Sequence, residues 1–145
     1  MSDAKALQFV DTNVLVYAHD RSAGVKHQRA RALVERLWQT GEGCLSIQVL
    51  QELYVSVTRK VPSPFPPAAA AQIITDLGAW RVHSPGVADV LDAIGLQQQH
   101  QLAFWDAMIL TSAIQSGYQT LWSEDLQSGQ QFGLVTVMNP LASDV

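Results

Sequence analysis

The chain of 145 residues is poor in several things, and each shortage excludes a class of explanation. It has one cysteine, Cys44, so no internal disulfide can form. A lone thiol in an apolar setting reads as a small core residue. No apolar run approaches the ~20 residues that a membrane helix needs. Met1 to Lys5 lack a basic stretch leading into an apolar one, so no secretory signal is expected. Both features fit a protein of the reducing cytoplasm. There is no Gly-rich phosphate loop of the Walker type and no ligand spacing suited to zinc. Basic residues are missing from residue 82 onward: all nine Lys and Arg lie at or before Arg81. Against them, residues 1–81 hold seven acids, a balance of +2, whereas residues 82–145 hold six acids and no Lys or Arg, a balance of −6. The net charge of −4 argues against an indiscriminate nucleic-acid binder. A basic front and an acidic back could still orient a polyanion.

What is present suits one globular domain: 48% hydrophobic and 15% charged residues, in a chain long enough to close a core. Leu7 to Val10 reads as a short buried strand. The triplet Asp11-Thr12-Asn13 follows, and these residue types cap helices. The apolar stretch Val14 to Ala18 then reads as a helix. Asp11 is thus expected on the rim beyond a strand's carboxyl end, where open parallel sheets bind ligands. Ala30, Leu33, Val34, Leu37 and Trp38 mark a helix from about Val25 to Thr40, stopped by Gly41 and Gly43. Cys44 to Ser46 is a short strand. A helix from Ile47 to about Arg59-Lys60 carries Glu52. Four prolines around Phe65 make a stiff connector. Further helices run up to Gly78, through Val87, Val90, Leu91 and Ile94, and from Trp105 to Gln115. Trp80 to His83, Thr120 to Trp122 and Leu134 to Val137 read as strands. The alternation predicts an α/β fold over residues 1–145: a short, mostly parallel central sheet of four to five strands, flanked by helices in three layers.

Four acids stand where such a sheet would gather them: Asp11 after the first strand, Glu52 in the helix after the second, Asp106 at the start of a late helix, and Asp125 after the fourth strand. Asp11, Asp106 and Asp125 also have a plain reading as helix caps, and Glu52 as a solvated helix residue. Carboxylates crowded in partial burial repel one another, and a divalent cation resolves the conflict. Oxygen ligands without His or Cys suit Mg²⁺ or Mn²⁺. Two such ions would stand about 3.5–4 Å apart.

At this point the chain resembles a known family. Val10 to Leu15, Gln51 to Tyr54, Phe104 to Ile109 and Trp122 to Leu126 are similar, in order and spacing, to the motifs of PIN-domain nucleases. The closing Val137 to Leu141 is similar to the end of these domains. The chain looks most like the VapC-type toxins of bacterial toxin–antitoxin pairs. The resemblance implies a Mg²⁺- or Mn²⁺-dependent endoribonuclease that hydrolyses phosphodiesters with metal-activated water, leaving 5′-phosphate and 3′-hydroxyl ends. It makes Asp11 and Asp106 metal ligands, with Glu52 and Asp125 completing the site directly or through water. Thr12, Asn13 and Ser123 match positions that hydrogen-bond the acids. It also implies a homodimer and a small antitoxin laid across the groove. Arg21, Lys26, Arg29, Arg59 and Lys60 are candidates for RNA phosphate contacts. The four His show no metal-like spacing. Trp105 and Trp122 flank acids, where base stacking is conceivable, but core packing is the expectation for both.

Two rivals define what would count against this. An aspartyl-phosphate phosphatase also starts from an acid after the first strand. It needs a second Asp two residues on, where this chain has Asn13, and a late basic residue, which this chain lacks. A PIN-like module that binds RNA or protein without cleaving would be signalled by loss of an acid, and all four are present.

Overall fold

The computed structural model describes residues 6–117 and 119–142. The first strand, β1 (Gln8–Val10), is followed at once by α1 (Thr12–His19), a 3-10 turn at Arg21–Ala23, and α2 (Val25–Thr40). Then come β2 (Gly43–Ser46), α3 (Ile47–Arg59), α4 (Pro67–Leu77) and β3 (Arg81–His83). The chain continues through α5 (Val87–His100), α6 (Phe104–Gln115), β4 (Thr120–Trp122), β5 (Gln131–Phe132) and β6 (Val135–Met138). The six strands form one sheet in the order β3-β2-β1-β4-β6-β5. Every pairing is parallel except β5 with β6. The mostly parallel α/β sheet is therefore as the sequence predicts. The count is six, not four to five, because β5 adds two residues against the edge of β6.

The connections fix the layers. From β1 to β2 to β3 the chain steps one way across the sheet; from β3 to β4 it returns past β1 to the other side. Right-handed crossovers then put α1 to α4 on one face and α5 and α6 on the other. The packing agrees: α1 lies against α2 and α3, α3 against α4, and α5 against α6. β1 and β4 are neighbours from which the chain goes on to opposite sides of the sheet, β1 towards β2 and β4 towards β6, so the crevice at their carboxyl ends is the topological switch point.

The core between these layers includes Phe9, Leu15, Leu37, Leu45, Leu53, Ile109, Leu110 and Leu121. Cys44 is buried within it, as its isolation suggested. On α2, Ala30, Leu33, Val34 and Leu37 face inward. Trp38 does not: it is half exposed and meets Trp80 edge-on. The stripe Val87, Val90, Leu91 and Ile94 on α5 points outward, and the helix packs through Ala93 and Leu96 instead. None of the described helices is long and apolar enough to cross a membrane.

Candidate functional site

Asp11 stands at the end of β1 and is 4% exposed. Its backbone continues the sheet by donating to the Trp122 carbonyl at 2.9 Å. Its carboxylate is held at both oxygens. Oδ1 accepts from the Thr12 amide at 2.7 Å, and Oδ2 accepts from the Ser123 hydroxyl at 2.8 Å. The plain reading of Asp11 as the N-cap of α1 is thus correct, and it uses one oxygen only. Burial is the main reason its pKa is pushed up to about 7; Asp125 and Asp106 add to the rise, while the two hydrogen bonds oppose it.

Asp106 is the third residue of α6, whose N-cap is Ala103. It is half-buried and its pKa is raised, first by burial and then by Asp125 and Glu52. Asp125 lies in the turn after β4, where no helix follows. So the capping reading fails for Asp106 and Asp125, and the structure instead brings both within electrostatic reach of Asp11. Glu52 sits on the second turn of α3, fixed at both oxygens: Thr12 Oγ1 donates to one at 2.6 Å and Gln48 Nε2 to the other at 3.2 Å.

Gln48 is a residue that sequence reasoning missed. Its amide nitrogen also donates to the Trp105 carbonyl at 3.1 Å, tying α3 to the start of α6. Only its spacing, one helical turn before Glu52, could have marked it. Asn13 Oδ1 accepts from the Glu124 amide at 3.4 Å, and Ser123 Oγ accepts from the amides of Asp125 and Leu126 at 3.2 and 3.4 Å. Thr12, Asn13 and Ser123 therefore all engage the acids or the turn that carries them.

A groove of about 610 Å³ opens beside this cluster. Its lining includes Thr12, Glu52 and Asp125 of the cluster together with Tyr17, Val55 and Lys60. Of the basic candidates, Lys60 alone lines this groove. Arg59 is exposed at the end of α3. Arg21 lies by a different hollow, near Trp38 and Phe65. Arg29 donates to the Ala142 carbonyl, and Lys26 is paired with Glu124 at 2.6 Å. Trp122 is half-buried, with its indole nitrogen on Gln8. Trp105 is 62% exposed, contrary to the packing expected of it.

The donor set fits a hard cation. It consists of carboxylates and hydroxyls, with no His or Cys, and both partners of the buried Asp11 carboxylate are neutral. Among the described residues no three acidic, His or Cys side chains form a ready-made cage. The rival phosphatase chemistry finds no support, because the position it needs is Asn13, which binds the Glu124 amide. A Ser–His–Asp array occurs elsewhere, with His83 2.8 Å from Ser112 Oγ and 3.7 Å from Asp89. Ser112 is 1% exposed, so no substrate reaches it as a nucleophile.

Comparison with known proteins agrees with this architecture. Among curated proteins none matches the chain in sequence. Solved structures do match in fold. VapC20 of Mycobacterium tuberculosis, a toxin that cleaves the sarcin-ricin loop, has a TM-score of 0.63 at 22% identity, over 81% of this chain and 91% of its own. A toxin–antitoxin complex from Klebsiella pneumoniae has a TM-score of 0.68 at 17% identity, over 92% and 97%. DNA-bound VapBC from Salmonella typhimurium has a TM-score of 0.66 at 14% identity, over 94% and 99%. The family model for the PIN domain matches residues 9–128, most of the chain, and the protein belongs to the PIN-domain family.

Proposed function

We propose that this chain, as one PIN domain over residues 1–145, is a divalent-metal-dependent endoribonuclease and the toxin of a VapBC-type pair in the cytoplasm. The observation that carries the reading is Asp11. A fully buried carboxylate with two neutral partners and further acids acting on it is costly unless a cation is its purpose. The fold shared with a sarcin-ricin loop cleaving toxin supports the RNA substrate, and the fold shared with toxin–antitoxin complexes supports an antitoxin partner.

Asp11 and Asp106 would hold Mg²⁺ or Mn²⁺, with Glu52 and Asp125 completing the set. Bound there, such a cation supplies activation of water and neutralisation of the charge that develops on phosphate. The chain's own residues do the positioning. Ser123 and the Thr12 amide aim Asp11. Thr12 and Gln48 clamp Glu52 against rotation. Lys60 in the lining of the groove, with Arg59 beside it in sequence, would meet RNA phosphates. A homodimer and an antitoxin segment crossing this groove complete the proposal.

The test is an RNA cleavage assay with Mn²⁺, a chelator control and Asp11→Asn. Metal-dependent cleavage that Asp11→Asn abolishes supports the reading. Mn²⁺ binding without cleavage of any RNA would favour a binding module. A small open reading frame abutting the gene would support the toxin assignment.

A further inference from the structure

We propose that Lys26 is a positioning residue for Asp125: its ion pair with Glu124 fixes the turn after β4 and so holds Asp125 at the carboxylate cluster. The inference rests on the nuclease reading for its kinetic consequence, but not for its structural one. Lys26 lies on the first turn of α2, 98 residues from Glu124, yet its Nζ stands 2.6 Å from Glu124 Oε2. The same ammonium lies 5.0 Å from the centre of the Tyr17 ring, which restrains it from a second side. Its pKa is raised, chiefly by the hydrogen bond to Glu124.

Between Ser123, whose amide donates to the Met138 carbonyl at 2.9 Å, and the buried Leu126, the two residues Glu124 and Asp125 have few holds of their own. The Glu124 amide reaches Asn13 at 3.4 Å, a long bond, and the Asp125 and Leu126 amides share the single hydroxyl of Ser123. Asp125 itself is exposed, the least buried of the four acids. The salt bridge from α2 attaches Glu124 by its side chain, where the sheet and the core hold only its neighbours. It also neutralises Glu124, which would otherwise place another negative charge next to a cluster already strained by repulsion. Lys26 is therefore engaged on the protein itself, and its part in RNA phosphate contact, expected from sequence, gives way to this role. A surface ion pair contributes little to global stability, so its removal leaves the fold intact.

The experiment compares the full chain with Lys26→Met, Lys26→Arg and the swap Lys26→Glu/Glu124→Lys. Three quantities are measured: amide hydrogen exchange of residues 123–126, Mn²⁺ affinity by calorimetry, and kcat and KM for RNA cleavage. In Lys26→Met, exchange at Glu124 to Leu126 should quicken about threefold. Mn²⁺ affinity and kcat should each fall roughly tenfold, as for other residues that orient ligands, with KM little changed. Lys26→Arg and the swap should restore all three. Unchanged exchange in Lys26→Met overturns the proposal. So does a raised KM with intact kcat and a shallower salt dependence, the mark of a phosphate contact. A wild-type protein that neither binds Mn²⁺ nor cleaves RNA defeats the nuclease reading alone, and hydrogen exchange then decides the role of Lys26.

Discussion

The Ser123 hydroxyl donates a 2.8 Å hydrogen bond to Asp11 Oδ2, joining two residues 112 apart in sequence. Each follows directly on one of two adjacent parallel strands, β1 and β4, from which the chain continues to opposite sides of the sheet. The bond holds one Asp11 oxygen still while the sheet hides the carboxylate from water. Position and discomfort have the same origin, and the predictions below exploit that.

Asp11 makes metal-free stability depend on pH. Its folded pKa of about 7 lies above the unfolded value near 3.9, so the folded state holds its proton more tightly. A raised acid of this kind is harmless below about pH 4; its cost grows as pH rises towards 7 and is complete above that. In a chelator, the wild-type melting temperature should fall across this window. Asp11→Asn should melt several degrees higher than wild type at pH 8, with the gap closing near pH 4. At this chain length roughly 2–4 °C corresponds to 1 kcal/mol. Parallel melting curves for the two proteins would refute the assignment.

Mn²⁺ should reverse the same cost. At pH 8 its addition should raise the wild-type melting temperature in a concentration-dependent way, the fold gaining about 2.7 kcal/mol at a hundredfold excess over Kd. Asp106→Asn should blunt the response, because Asp106 and Asp11 act on one charge cluster. Differential scanning fluorimetry measures both, and an undiminished response in Asp106→Asn would contradict the shared site.

Gln48→Leu should separate activity from stability. The amide it removes holds both Glu52 and the Trp105 carbonyl. Loss of such an orienting group typically lowers activity 10- to 100-fold. The two lost hydrogen bonds, one of them to a carboxylate, should cost about 2–3 kcal/mol in urea unfolding and leave the protein folded. Full cleavage activity in a folded Gln48→Leu protein would show that Glu52 needs no clamp.

Gly43→Ala tests the packing beneath the site. A methyl group there would stand 2.7 Å from two carbons of the Trp80 ring, which is 9% exposed and has little room to move. Overpacking of this kind costs about 1–3 kcal/mol. The urea midpoint should drop accordingly, and an unchanged midpoint would mean that β2 and the Trp80 ring slide apart freely.

The positions of Asp11, Asp106 and Asp125 were legible because strand ends and helix starts carry local signals. Sheet neighbours were not. Nothing near Asp125 announces that its strand lies beside β1; that follows from the return of the chain across the sheet. β5 escaped detection because Gln131 and Phe132 are too few to show a period. Trp105 was misjudged because α6 has no apolar face to read: Ala107 to Ala113 are buried in an unbroken run. On α5 the stripe of large apolar residues was visible, but Ala93, a small one, makes the buried contact with α6. Gln48 gave no compositional sign, since a glutamine on a helix is ordinary until its carboxylate partner is placed beside it.

The most direct test is a crystal structure with Mn²⁺, using anomalous scattering to locate the ion. The expected result is a peak within coordination distance of the Asp11 and Asp106 carboxylates, absent from crystals of Asp11→Asn. A peak bound elsewhere, or one that survives in Asp11→Asn at full strength, would contradict the claim that the buried acid at the end of β1 exists to hold a cation.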